Sequence, residues 1–126
     1  MADMSFAYEV QPVLDRDDIV GIRNEINTVN MSETLERYII ELVFATRRPL
    51  DYGLRDEARY IQYGVSPRAS INLNRAAKAL AYFDRRDYVL PEDIKEVALD
   101  VMNHRILLNY EAEADNIKTS DILRLF

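Results

Sequence analysis

The 126-residue sequence has no cysteine and no tryptophan, and only one histidine, three glycines and four prolines. Without cysteine there is no disulfide, no thiolate zinc site and no cysteine nucleophile; such a chain suits a reducing cytoplasm. The single histidine, His104, excludes the paired-histidine helix of zinc peptidases. Gly21, Gly53 and Gly64 lie too far apart for a glycine-rich phosphate loop, and none precedes a lysine. No apolar run approaches the ~20 residues of a membrane span. The opening Met1-Ala2-Asp3-Met4 has neither the basic start nor the apolar stretch of a secretory leader. What remains is 48% hydrophobic and 30% charged, which argues against disorder and for one small globular domain.

Charge is unevenly spread around a net of −6. Residues 1–46 carry nine acids and three bases, residues 47–86 four acids and nine bases, and residues 87–126 nine acids and four bases. A basic middle between acidic ends either meets an anion, such as nucleotide phosphates or nucleic acid, or pairs with its own flanks.

The apolar spacing predicts an all-α bundle of four main helices and a short terminal one. Residues 1–14 read as an extended linker, with Pro12 opposing helix, and residues 15–126 as the helical domain. Asp15, Asp17 and Asp18 offer a cap and first-turn carboxylates ahead of the stripe Ile19, Ile22, Ile26 and Val29. Ser32 caps the next helix, which carries Leu35, Ile39, Leu42, Val43 and Thr46 on one face and ends at Arg47 before Pro49. Residues 49–65 show no period, apart from a short extended piece at Tyr60–Tyr63; an aperiodic stretch of this length is often functional. Ser66-Pro67-Arg68-Ala69 is a helix start, with Ser66 as cap and Pro67 at the first helical position. That helix runs to Phe83 and buries Ala69, Leu73, Ala76, Ala77 and Leu80. After the polar turn Asp84-Arg85-Arg86-Asp87, Pro91-Glu92-Asp93 opens another helix with the stripe Ile94, Val97, Ala98 and Val101. Leu90 stands in its cap position without a capping atom. Ile106-Leu107-Leu108 reads as a strand or a buried extension. Thr119-Ser120-Asp121 opens a final helix, Ile122 to Phe126.

Arg68 is the leading candidate for chemistry. A guanidinium at a rigid helix start, beside unpaired backbone N–H groups and the positive end of the dipole, suits phosphate. A surface arginine paired with a nearby acid is the structural alternative. His104 beside Arg105 has no nucleophile near it in sequence and reads as structural. Arg85-Arg86 reads as a solvated turn, and Glu92-Asp93 as answering the helix dipole. Tyr60 and Tyr63 either stack bases or cover the bundle.

Four blocks then carry a resemblance: Tyr38-Ile39-Ile40-Glu41-Leu42-Val43-Phe44-Ala45-Thr46-Arg47, Gly64-Val65-Ser66-Pro67-Arg68-Ala69, Arg86-Asp87-Tyr88-Val89-Leu90-Pro91-Glu92-Asp93-Ile94-Lys95, and His104-Arg105-Ile106. In this order and spacing, over about residues 8–110, the chain resembles the C-terminal lid of MoxR-type AAA+ ATPases. It departs from the family at Val65, where Ala is usual, at Asp84-Arg85, where a small turn with glycine is usual, and at Leu90, where Thr or Ser caps.

The resemblance implies a lid that closes over ATP and Mg²⁺ held by a separate α/β core. In that family an arginine at the start of a lid helix, called sensor 2, reaches the γ-phosphate; it matches Arg68, which is thereby the expected catalytic and cofactor-binding residue. The region of Tyr38 and Ile39 is the expected approach to the adenine, by analogy with other AAA+ lids, with core packing the favoured role for Ile39 itself, and Arg47 lies in a matching block without an assigned role. No metal ligand is expected on this chain. The resemblance further implies that the P-loop core precedes residue 1, that the chain is a fragment inactive alone, and that the parent is a ring, hexameric by expectation. That parent is a chaperone-like machine remodelling or inserting metal into partner proteins, with a von Willebrand A-domain protein as the suggested partner. No membrane span and no nucleic acid are expected. The alternatives are the lid of a magnesium chelatase or RavA-like machine, or a free-standing helical nucleic-acid-binding module using the basic band.

Overall fold

Helix α1 (Arg16–Asn27) begins at a reciprocal cap: the Asp15 carboxylate accepts the Asp18 N–H at 2.8 Å, and the Asp18 carboxylate accepts the Asp15 N–H at 3.0 Å. The computed structural model describes residues 9–124 and 126. Residues 9–15 are exposed and lack regular secondary structure, while the first eight residues of the expected linker lie outside the described residues. Ser32 opens α2 (Glu33–Arg47), its Oγ accepting the Leu35 N–H at 3.3 Å. The chain then forms a 3₁₀ turn (Pro49–Tyr52) closed by Gly53 at φ +74°, a conformation that favours glycine. There follow α3 (Arg55–Ala58), β1 (Ile61–Tyr63), α4 (Ala69–Phe83), α5 (Pro91–Met102), β2 (Leu107–Leu108), α6 (Tyr110–Ala114) and α7 (Thr119–Leu123).

The fold is helical as expected, with one small addition. β1 pairs antiparallel with β2, Ile61 opposite Leu108 and Tyr63 opposite Leu107. Residues 49–65 thus contain a 3₁₀ turn, a four-residue helix and a strand, each too short to show a period. Helix α4 starts at Ala69 because Ser66–Arg68 form a tight turn first, with the Ala69 N–H donating to the Ser66 carbonyl at 2.8 Å. Helix α6 was not anticipated; Asn109 caps it through its side-chain oxygen, which accepts the Ala112 N–H at 3.1 Å. Helix α7 begins at Thr119, three residues before the expected Ile122.

The core lies along α4. Ala69, Leu73, Ala77 and Ala81 are fully buried, one per turn, and their small size lets neighbouring backbones approach. Ile39 and Val43 of α2 and Ile94 and Met102 of α5 close over them, joined by Val29, Val65, Val89 and Ile106. A smaller cluster of Tyr60, Ala112 and Ile122 lies beside the ribbon. There Tyr60 covers the bundle and donates its hydroxyl to Asp115 at 2.8 Å, whereas Tyr63 is exposed. Helix α1 buries nothing fully: Ile22 and Ile26 are half-covered, and Ile19 and Val20 face outward.

The α4–α5 turn corrects two expectations. Arg86 is not solvated; its side chain is 16% exposed, and its two terminal nitrogens donate to the Asp93 carboxylate at 2.8 and 2.7 Å. Nε adds a bond to Asp84 at 3.1 Å, and one terminal nitrogen a bond to the Tyr88 carbonyl at 3.1 Å. Asp93 is therefore more than a first-turn acid: buried, it also accepts the Leu90 N–H at 2.7 Å, supplying the cap that the Leu90 side chain lacks.

Candidate functional site

Arg68 stands at the cap position of α4 with φ −62° and ψ −21°, and its side chain is exposed. Among the described residues no carboxylate forms an ion pair with it, and the first turn of α4 holds no acid. The structural alternative weighed for this residue, a surface arginine paired with a neighbouring acid, is thus not observed.

One part of the expected phosphate corner is different. The Arg68 N–H donates to Ser66 Oγ at 3.3 Å, the Ala69 N–H to the Ser66 carbonyl, and the Ser70 N–H to the Pro67 carbonyl at 3.1 Å. Ser70 Oγ also donates to the Pro67 carbonyl, at 2.7 Å. The backbone donors that a helix start usually offers an anion are therefore occupied within the turn. Any anion meets the Arg68 guanidinium and the helix dipole, not a nest of free N–H groups.

The turn that presents Arg68 is fastened to the end of α2. The Val65 N–H donates to Thr46 Oγ1 at 3.1 Å, and Thr46 Oγ1 donates to the Val43 carbonyl at 2.7 Å. Arg47 donates from its guanidinium to the Val65 carbonyl at 3.2 Å. Gly64 permits this approach: a Cβ there would lie 2.4 Å from the Thr46 carbonyl oxygen. The sequence placed Thr46 on the buried face of its helix, and a fully buried hydroxyl requires partners. That requirement was the signal for the clamp, but periodicity could not name Val65 as the partner.

The three residues expected at a nucleotide do not share one surface. Ile39 is 2% exposed and packs in the core. Tyr38 lines a cleft of about 280 Å³ with Leu42, Lys95, Leu99, Met102 and Leu123, between α2, α5 and α7. Beyond Arg68, three and seven residues along α4, Ile71 and Arg75 line a separate seam of about 300 Å³ with Glu36 and Ile40 of α2. Tyr38 and Ile40 are two residues apart, so they project from opposite flanks of α2. His104 and Arg105 are exposed. Among the described residues no cluster of His, Asp or Glu could hold a metal ion, and no helix is long and apolar enough to cross a membrane.

Comparison with known proteins agrees with this architecture. A family model described as the AAA lid domain matches residues 55–125. The chain is 35% identical over 115 residues to Chaperone MoxR1 of Mycobacterium tuberculosis, covering 91% of this chain and 30% of that protein. It is 45% identical over 82 residues to Protein MoxR of Paracoccus denitrificans, covering 62% of this chain and 24% of that one. A crystal structure of a protein assigned as an ATPase, from Cytophaga hutchinsonii, superposes with a TM-score of 0.91 at 63% identity, over 98% of this chain and 37% of that one. The chain belongs to the AAA lid domain family, and within it to the lids of MoxR-type AAA+ ATPases. It spans about a third or less of the length of the relatives it matches.

Proposed function

We propose that this domain is the nucleotide-sensing lid of a MoxR-type AAA+ ATPase, with Arg68 as the sensor. In this reading ATP and Mg²⁺ are held by a separate α/β core. Arg68 reaches the γ-phosphate from the start of α4, and the lid moves with the phosphate's presence or loss. The carrying observation is an exposed guanidinium without a carboxylate partner among the described residues, standing on a turn whose Arg68, Ala69 and Ser70 N–H groups are all bonded. A charge-assisted hydrogen bond of this kind contributes roughly 1.5–3 kcal/mol, and arginines in phosphoryl transfer act by stabilising charge in the transition state.

The placement of Arg68 also bears on the base. A nucleotide meeting Arg68 lies on the Ile40 and Ile71 side of α2 and α4, where both side chains are about half exposed. Tyr38 then belongs to the α5 flank, and Ile39 acts through packing. The parent is a ring of such subunits, hexameric, acting as a chaperone-like machine that remodels or inserts metal into a partner such as a von Willebrand A-domain protein, in the cytoplasm. The lid's partners are its own core and the neighbouring subunit.

The deciding experiment is Arg68→Ala in the ATPase that carries this lid. Turnover falls at least tenfold while the melting temperature of the lid is unchanged; turnover equal to wild type removes the sensor assignment. The lid alone, titrated with Mg-ATP by calorimetry, shows no micromolar binding.

A further inference from the structure

We propose that Thr46 and Arg47 are positioning residues for Arg68, so that the end of α2 sets the direction in which the sensor leaves α4. The inference rests on the sensor reading above. Both polar backbone atoms of Val65 are taken by consecutive residues of α2: the N–H by Thr46 Oγ1 at 3.1 Å, the carbonyl by the Arg47 guanidinium at 3.2 Å. Val65 itself is fully buried, and Thr46 is too. Gly64 brings the chain against the Thr46 carbonyl so closely that no side chain fits between.

Only Ser66 and Pro67 separate this fastening from Arg68. Pro67 has a fixed φ, and the Ser66 hydroxyl and carbonyl are both bonded inside the turn. Little freedom remains between Val65 and the Arg68 Cα. A rotation of α2 therefore carries the base of the sensor with it, and a loosened Val65 releases it.

Arg47 fits this role in a further respect. It forms no ion pair with a described carboxylate, in a chain with six more acids than bases. Its described partner is a neutral carbonyl 18 residues away. Thr46, with no exposed surface, cannot touch a nucleotide, so any effect it has on nucleotide discrimination must pass through the turn.

The test measures the ratio of affinities for a non-hydrolysable Mg-ATP analogue and for ADP in the ATPase carrying the lid. Variants are Arg68→Ala, Thr46→Val, Thr46→Ser, Arg47→Ala and, as a control for lost stability, Ile122→Val in the separate cluster. Thr46→Val and Arg47→Ala are expected to shift the ratio about fivefold toward the Arg68→Ala value. Thr46→Ser keeps the hydroxyl and the wild-type ratio, and Ile122→Val leaves the ratio unchanged despite a lower melting temperature. If Arg68→Ala changes the ratio but Thr46→Val and Arg47→Ala do not, the positioning role is overturned and the sensor reading stands. If Thr46→Val acts no differently from Ile122→Val at equal loss of stability, the positioning role is likewise overturned. If Arg68→Ala leaves the ratio unchanged, both readings fall.

Discussion

Arg85 has φ +60°, in the left-handed region. It follows the α4 cap residue Asp84; its N–H donates to the Tyr82 carbonyl at 3.0 Å, and the next N–H, of Arg86, donates to Ala81 at 2.9 Å. This is the double bond pattern that usually ends on glycine. The departure seen in the sequence, Asp84-Arg85 where a glycine-containing turn is usual, is thus a strained residue in an otherwise standard helix end. Arg85→Gly is expected to raise stability by about 0.5–1 kcal/mol, read as a higher melting temperature by calorimetry. Asp93 makes the second residue-scale prediction. The Arg86 guanidinium beside it holds its carboxyl below the usual carboxylate range; burial opposes this, and the Leu90 N–H adds to it. A lowered folded pKa means that the stabilisation is complete above the unfolded value, near 4, and is lost as pH falls through the folded value. The melting temperature should therefore drop below about pH 4. Asp93→Asn should lower it by about 10 °C at pH 7 and flatten that acid limb. The first effect had a signal in the sequence, the missing glycine; the second had none, because the run Asp84-Arg85-Arg86-Asp87 does not say which of its charges turns inward.

At the scale of elements, caps and apolar spacing located the main helices well. Asp15 and Ser32 cap where they were expected to, and α2 ends at Arg47 before Pro49. The errors fall where a boundary depends on bonds to another element. Helix α4 begins at Ala69 because the preceding residues are drawn into a turn fastened to α2, which Ser66 and Pro67 alone do not reveal. Helix α6 is only five residues long and was missed, since a segment that short shows no period; packing of Ala112 under Tyr60 and Ile122 holds it. The seam between α2 and the α4 entry carries the element-scale prediction. Gly64→Ala places a Cβ 2.4 Å from the Thr46 carbonyl oxygen, 2.5 Å from its carbon and 2.7 Å from the Arg47 nitrogen. All three are backbone atoms, so relief requires moving a helix end. The substitution should cost about 2–3 kcal/mol in urea unfolding, whereas Gly21→Ala, with open space around it, should be neutral or stabilising.

Across the whole molecule, stability is graded. Helices α2, α4 and α5 share most of the fully buried side chains, while α1 has none. Hydrogen exchange should therefore open α1 first, with amides of Ile22 to Ile26 exchanging well before those of Leu73 to Ala81; equal protection would show that α1 is an integral part of the core. The outward-facing Ile19 and Val20 lie on this helix, and Val10, Val13 and Leu14 on the segment that precedes it. The basic middle of the sequence is resolved at this scale as well. Arg86 and Arg59 pair with acids of the C-terminal segment, Asp93 and Asp115, and Arg47 binds a carbonyl. Three of the band's nine bases are engaged in this way, only Arg86 being largely covered, and Arg68 is the member placed at the start of α4, whose first turn holds no acid.

Composition, caps and periods were enough to establish a helical domain and its main helices and to single out Arg68 as a candidate, since these are local properties of the chain and are written within a few residues of one another. That Arg86 turns inward against Asp93, and that α2 grips the entry to α4, were settled by contacts between residues 7 and 19 positions apart. Such contacts depend on how helices pack, and packing is a property of pairs of segments that no single stretch of sequence carries.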